Sequence, residues 1–180
     1  MTDVNFSPAP HGETPKDSPC AESPAPLYDL IELLFFAYRD FVADADHILE
    51  TLGFGRAHHR VLHFVDRNPD LTVAELLDIL KITKQSLARV LKELIDQGFI
   101  LQREGREDRR QRLLTTTPKG RQLSVDLDIK QSRRIAAALA EAGDNAHAQA
   151  EQFLFAMVDP AERGAVAHLI RGNSAEGGSR

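Results

Sequence analysis

The sequence predicts a mainly α-helical protein with one small β-wing, on three observations. Apolar residues recur at helical spacing through most of residues 27–171. Between residues 72 and 97 two short helical segments follow each other closely, each preceded by a threonine. Directly after them, two strand-like runs at 99–103 and 111–116 flank a turn at Gly105 that is crowded with arginine: Arg103, Arg106, Arg109, Arg110 and Arg112. Two short helices and a basic hairpin are the parts of a winged helix–turn–helix. That unit sets one helix into the major groove of duplex DNA and reaches the flanking backbone or minor groove with the hairpin.

Residues 1–26 hold six of the nine prolines and no apolar period, so they read as a disordered tail. From 27 to about 50 the pattern is helical and unusually apolar, with Leu30, Ile31, Leu33, Leu34, Phe35, Phe36, Tyr38, Phe41 and Val42. These residues cover more than one face, more than a single small domain would bury from its first helix, so a subunit interface is expected. Gly53 and Gly55 break that helix, and the next spans 56–67 with Val61, Leu62, Phe64 and Val65 inward. Thr72 and Glu75 form a capping box for a short helix ending near Leu80, with Val73, Leu76 and Leu77 inward. Lys81 and Ile82 make the turn. Thr83 is the expected N-cap of a helix over 84–97, with Leu87, Val90, Leu91, Leu94 and Ile95 inward and Gly98 as C-cap. Gln85, Arg89 and Lys92 project from the opposite side. After the hairpin, Thr117 as cap and Pro118 at the first position start a long helix to about Glu141, with a polar stretch at 126–134 that leaves room for a bend. A break at Gly143 precedes helices over about 145–158 and from the Asp159–Glu162 turn to about Arg171, with a Gly/Ser-rich flexible tail at 172–180.

Net charge is −5, which alone argues against a polyanion partner. Its distribution argues the other way. Residues 81–122 carry eleven Lys/Arg against five Asp/Glu, a local +6, leaving −11 for the rest. DNA affinity depends on the local patch, because counterions are released only where phosphates are neutralised. The ordinary alternative is that the basic run is a solvated face. One cysteine rules out an intramolecular disulfide and a Cys-based zinc ribbon. The N-terminal residues lack a secretory pattern and no apolar run would span a bilayer, so a cytoplasmic protein without membrane partners is expected.

Several pieces together resemble the MarR family of bacterial transcriptional regulators. They are Arg60-Val61-Leu62, the run Leu71 to Leu76, the helix from Lys84 to Leu94, Gly98-Phe99-Ile100, Asp108-Arg109-Arg110, and Thr117-Pro118-Lys119-Gly120. The Asp-x-Arg wing followed by Thr-x-x-Gly is the specific part; Thr116, where leucine is usual, and the pair His58-His59 are departures. The resemblance implies a homodimer built from the first and last helices, binding a pseudo-palindromic operator, most simply as a repressor. It divides the chain into a dimerisation helix at 27–52, a winged helix–turn–helix DNA-binding domain at 53–120 and C-terminal dimerisation helices at 121–171. It also implies that Asp108 orients the wing and Arg110 contacts DNA near the minor groove. Arg106, nearest the wing tip, is expected to do the same, with Arg109 and Arg112 beside it. On the recognition helix, Gln85 suits adenine and Arg89 guanine, Lys84 and Ser86 suit phosphates or base edges, and Thr83 and Lys92 complete the DNA-facing set.

The family commonly responds to a small-molecule effector, an oxidant or a metal. Cys20 lies in the proline-rich tail with no adjacent cation to activate it, so a thiol switch is not supported. His59 and His63, four apart on one helix, are the candidate effector or metal residues, with Asp44, Asp46 or His47 as candidate neighbours. Packed histidines are the ordinary alternative, and His58 belongs nearer the apolar face. Arg39 and Arg60 suit an acid-binding pocket or ordinary ion pairs. The rival function is a winged-helix module that binds protein rather than DNA. No phosphate loop or activated nucleophile is present, so neither enzyme nor cofactor is expected.

Overall fold

The computed structural model describes residues 25–105, 108 and 110–174; Cys20, Arg106 and Arg109 fall outside them. The elements are α1 (Tyr28–Glu50), α2 (Arg56–Arg67), β1 (Leu71–Thr72), α3 (Val73–Leu80), α4 (Lys84–Asp96), β2 (Ile100–Glu104), β3 (Arg112–Thr116), α5 (Pro118–Ala142), α6 (Ala146–Met157) and α7 (Arg163–Ser174). The strands form an antiparallel sheet in the order β1-β3-β2, with Leu71 opposite Leu114 and Gln102 opposite the same Leu114 on its other side.

Local chemistry explains the element ends. Thr72 Oγ1 accepts the Glu75 amide at 3.1 Å while the Glu75 carboxylate accepts the Thr72 amide at 2.8 Å, closing the capping box of α3. Lys81 stops α3 in the left-handed region, φ 51°, and Arg60 donates to the Leu80 carbonyl at 3.2 Å. Thr83 caps α4 through the Ser86 amide at 3.2 Å. At the other end of α4 the cap falls on Gln97, and Gly98 is the next residue, with φ 73°. The Gly98 amide bonds to Ile95 O and that of Phe99 to Leu94 O, the paired bonds of a Schellman turn.

The core lies where α2, α3, α4 and the sheet meet α5. Val61, Leu62, Val65, Leu76, Leu87, Leu94, Phe99, Ile100, Leu114 and Leu127 are all at most 2% exposed. Each such side chain contributes about 1.5–3 kcal/mol of burial. Phe64, Val73, Leu77 and Ile95, expected inside, are only partly buried and pack on the rim of this core. Helical period identifies the inward face but not how deep its edges sit.

The polar stretch 126–134 does not break α5, which is one helix from Pro118 to Ala142. Its polar side chains are tied to neighbours: Asp128 to His63 at 3.0 Å, Gln131 to the Phe41 carbonyl at 3.4 Å, and Arg134 to Asp44 at 2.6 Å. Those ties also hold α1 and α2 against α5. Only the C-terminal half of α1 is buried, at Val42, Ala45 and Leu49. Its N-terminal half presents apolar side chains to solvent, with Leu33 62%, Phe35 67% and Phe36 54% exposed; Phe153 and Leu154 of α6 are also more than half exposed. Among the described residues, no helix is long and apolar enough to cross a membrane.

Candidate nucleic-acid interface

On α4, burial of Leu87, Val90, Leu91 and Leu94 against the core forces the intervening positions outward. Lys84, Gln85, Ser86, Arg89 and Lys92 are all exposed, as is Thr83 before them. Thr83 and Ser86 are partly occupied: the Thr83 hydroxyl donates to Ser86 Oγ at 2.9 Å while capping the helix, which leaves the Ser86 O–H to donate elsewhere. Lys92 is paired with Asp96 one turn on, and that hydrogen bond raises the lysine pKa. Among the described residues Lys84, Gln85 and Arg89 have no side-chain partner, so the two cationic tips and the amide between them are available for a ligand.

The wing is shaped by Asp108. Its carboxylate accepts the Arg110 amide at 2.9 Å and its carbonyl accepts the Gln111 amide at 3.0 Å, while the Gly105 amide bonds to the Gln111 carbonyl at 3.1 Å. A Cβ on Gly105 would lie 2.6 Å from the Asp108 carbonyl oxygen, so the tight return needs glycine there. Two wing arginines are engaged in ion pairs, Arg103 with Asp70 at 2.6 Å and Arg112 with Glu104 at 2.8 Å. The side chain of Arg110 is exposed and has no ion-pair partner among the described residues.

α3, α4 and the wing enclose a groove of about 840 Å³. Lys84, Lys92, Gln102, Arg110, Gln111 and Arg112 give its lining polar groups, and Ala74, Leu77, Ala88 and Leu91 give it apolar ones. Gln102 and Gln111 went unnoticed in the sequence because nothing in a strand pattern tells which strand face borders a neighbouring helix.

The Thr117–Gly120 motif fixes the wing to the end of α4. Thr117 donates its amide to Phe99 O at 3.0 Å and its hydroxyl to Gly98 O at 2.7 Å, and Thr117 Oγ1 accepts the Gly120 amide at 3.0 Å. Lys119 reaches Gln97 O at 2.9 Å, with its ammonium 4.0 Å from the centre of the Phe99 ring. A Cβ on Gly120 would sit 2.0 Å from Phe99 O. Only glycine allows α5 to start this close to β2.

The histidines separate. His58 is 8% exposed and bonds to Glu93 at 2.6 Å, as a packed histidine should. His63 meets Asp128 at 3.0 Å on the wall of a second cavity, about 510 Å³, between α1, α2, α5 and α7. His59 is half-buried, and burial lowers its pKa against the opposing pull of Asp128. Among the described residues, no three His, Cys, Asp or Glu side chains are grouped to hold a metal ion. Arg39 pairs with Asp40, and Arg60 with the α3 carbonyl, so each has its own partner.

Comparison with known proteins places this geometry. The model of the MarR family matches residues 52–111, which run from the end of α1 to the wing. The HTH-type transcriptional regulator PetP of Rhodobacter capsulatus is 51% identical over 133 residues, covering 74% of this chain and 80% of PetP. Among solved structures, MarR aligns with a TM-score of 0.61 at 20% identity, over 87% of this chain and 99% of that one. A mutant MarR of E. coli complexed with operator DNA aligns with a TM-score of 0.58 at 18% identity, over 75% of this chain and all of that one (100%). With half its aligned residues shared with a regulator and a MarR-like winged helix as its fold, this chain belongs to the MarR family of transcriptional regulators.

Proposed function

We propose that this regulator binds duplex DNA sequence-specifically as a homodimer, most simply to repress transcription by occupying an operator. The observation that carries this reading is the shared groove: Lys84 and Lys92 of α4 and Arg110 of the wing line one concave surface, beside the exposed Gln85 and Arg89. Gln85 and Arg89 are the base readers, with Gln85 suited to adenine and Arg89 to guanine. Lys84, Ser86 and Lys92 hold phosphates, Arg110 reaches DNA at or near the minor groove, and Asp108 sets the turn from which Arg110 projects. Arg106 and Arg109 belong to the same basic hairpin by sequence. A relative of the same fold is complexed with operator DNA, which supports this use of the surface.

The homodimer rests on the apolar half of α1, whose Leu33, Phe35 and Phe36 are more than half exposed in a single chain, together with Phe153 and Leu154 of α6. Exposed apolar side chains in such number are expected to be covered by a second copy. Two-fold symmetry then demands two half-sites about one helical turn apart, roughly 10 bp. The effector space we assign is the second cavity, where Phe41, Phe64 and Leu169 provide apolar contact and His63, Arg67 and Asp128 polar contact. That combination suits a small amphipathic molecule. Footprinting the purified protein on the DNA upstream of its own gene, at low and moderate salt, tests the reading. A protected two-fold segment lost steeply with salt is expected; absence of protection at low salt would favour a protein-binding winged helix instead.

A further inference from the structure

We infer that His58 and Glu93 are positioning residues for DNA recognition, fixing the rotation of α4 through a column of packed side chains that ends at the root of the wing. The inference rests on the DNA-binding reading above. Glu93 lies on α4 four residues after Arg89 and eight after Gln85, so at 100° per residue it borders the stripe that carries the base readers. A free carboxylate there would face the same phosphates that Arg89 and Lys92 attract. It is not free. His58 Nδ1 accepts the Gly55 amide at 3.1 Å, so the ring carries its proton on Nε2 and donates it to Glu93 at 2.6 Å.

The histidine is itself immobilised. Its ring lies flat on Phe54, with centroids 4.6 Å apart and 13° between planes. Phe54 meets Phe99 edge-on at 5.2 Å, and Lys119 covers the Phe99 ring. The Phe54 amide bonds to Leu49 O at 2.9 Å, which ties the column to the end of α1. Glu93, His58, Phe54, Phe99 and Lys119 thus connect α4 with the starts of α2 and α5. The apolar contacts of Leu87, Val90, Leu91 and Leu94 set how deep α4 sits, but contacts of that kind are non-directional. The His58–Glu93 bond is directional and sits at the edge of the reading face. It determines where Gln85 and Arg89 point.

Charge alone predicts the opposite behaviour, which makes the test decisive. If Glu93 is only a negative charge near DNA, then E93A and E93Q both bind DNA more tightly than wild type. If it positions α4, E93A binds the operator about tenfold more weakly with non-specific binding nearly unchanged, and E93Q, which still accepts the His58 proton, stays near wild type. H58F keeps a ring on Phe54 but donates nothing, and should behave like E93A. Affinities for operator and for scrambled duplex are measured on full-length proteins whose urea midpoints have been compared. Glu93 is substantially exposed, so its truncation is compatible with folding. Operator affinity of E93A equal to or above wild type overturns the inference, as does an E93Q no better than E93A. Equal losses on operator and scrambled DNA also overturn it. A wild type that binds neither duplex defeats the DNA-binding reading and this inference with it.

Discussion

Replacing Gly120 with alanine should be among the most damaging single changes in the DNA-binding lobe, although it adds only one methyl group. The added Cβ would lie 2.0 Å from Phe99 O and 2.9 Å from Phe99 C, both backbone atoms. No rotamer change relieves a clash with backbone, so α5 and β2 must separate by more than an ångström. That separation strains three bonds that close the wing root: Thr117 N to Phe99 O, Thr117 Oγ1 to Gly98 O, and Lys119 Nζ to Gln97 O. Overpacking costs about 1–3 kcal/mol, and the bonds are worth about 1 kcal/mol each. Against this, alanine gains up to about 1 kcal/mol of helix propensity. The expected net loss is about 3 kcal/mol, or roughly 6–12 °C in Tm for a chain of this size. Urea or thermal unfolding of G120A measures it. Gly164, in α7 with nothing within 4 Å of its would-be Cβ, is the internal control, and G164A should be neutral or slightly stabilising. A G120A protein as stable as wild type would refute the claim that close approach dictates glycine here.

Other outcomes follow from the same geometry. R110A should stay folded and lose operator affinity, with the salt slope reduced by about one, because its guanidinium has no ion pair to lose among the described residues. T117V removes both the bond to Gly98 O and the cap on Gly120, and should cost about 1–2 kcal/mol in urea unfolding with the wing affected first in hydrogen exchange. Burial lowers the pKa of His59 below the ordinary histidine value, so across the window just below about pH 6.5 the unfolded chain binds more protons than the folded one. Stability should therefore be complete above that window and fall as pH drops through it. H59Q should flatten that part of the profile, and an unchanged slope would place the titration elsewhere.

What the sequence made legible is what depends on near neighbours in the chain. Thr72 with Glu75, Thr83 with Ser86, and Thr117 with Gly120 are all three-residue interactions, and each closed as the residue types require. The inward face of α4 follows from spacing alone. Long-range pairings were not legible. β1 is two residues that count as a strand only because β3 lies beside them. Spacing places His58 near the apolar face, but Glu93, 35 positions on, becomes its partner only when α2 and α4 pack. The polar stretch of α5 left a bend open because its partners, Asp44, His63 and the Phe41 carbonyl, are 65 to 90 residues away. In the same way, five arginines in the hairpin read as one basic patch, whereas Arg103 and Arg112 are in fact balanced by Asp70 and Glu104. The unpaired cation at the described part of the wing is Arg110, the one the MarR resemblance singled out.

If α4 reads bases while the wing holds the flanking backbone or minor groove, each dimer does so twice. Selection of bound duplexes from a randomised pool, run in parallel with wild type and Q85A, tests it most directly. A two-fold-related motif with half-sites about one helical turn apart is expected. Q85A should lose preference at one base pair in each half, with about 1–3 kcal/mol of discrimination gone. An unenriched pool, or the same motif recovered with Q85A, would contradict this division of roles.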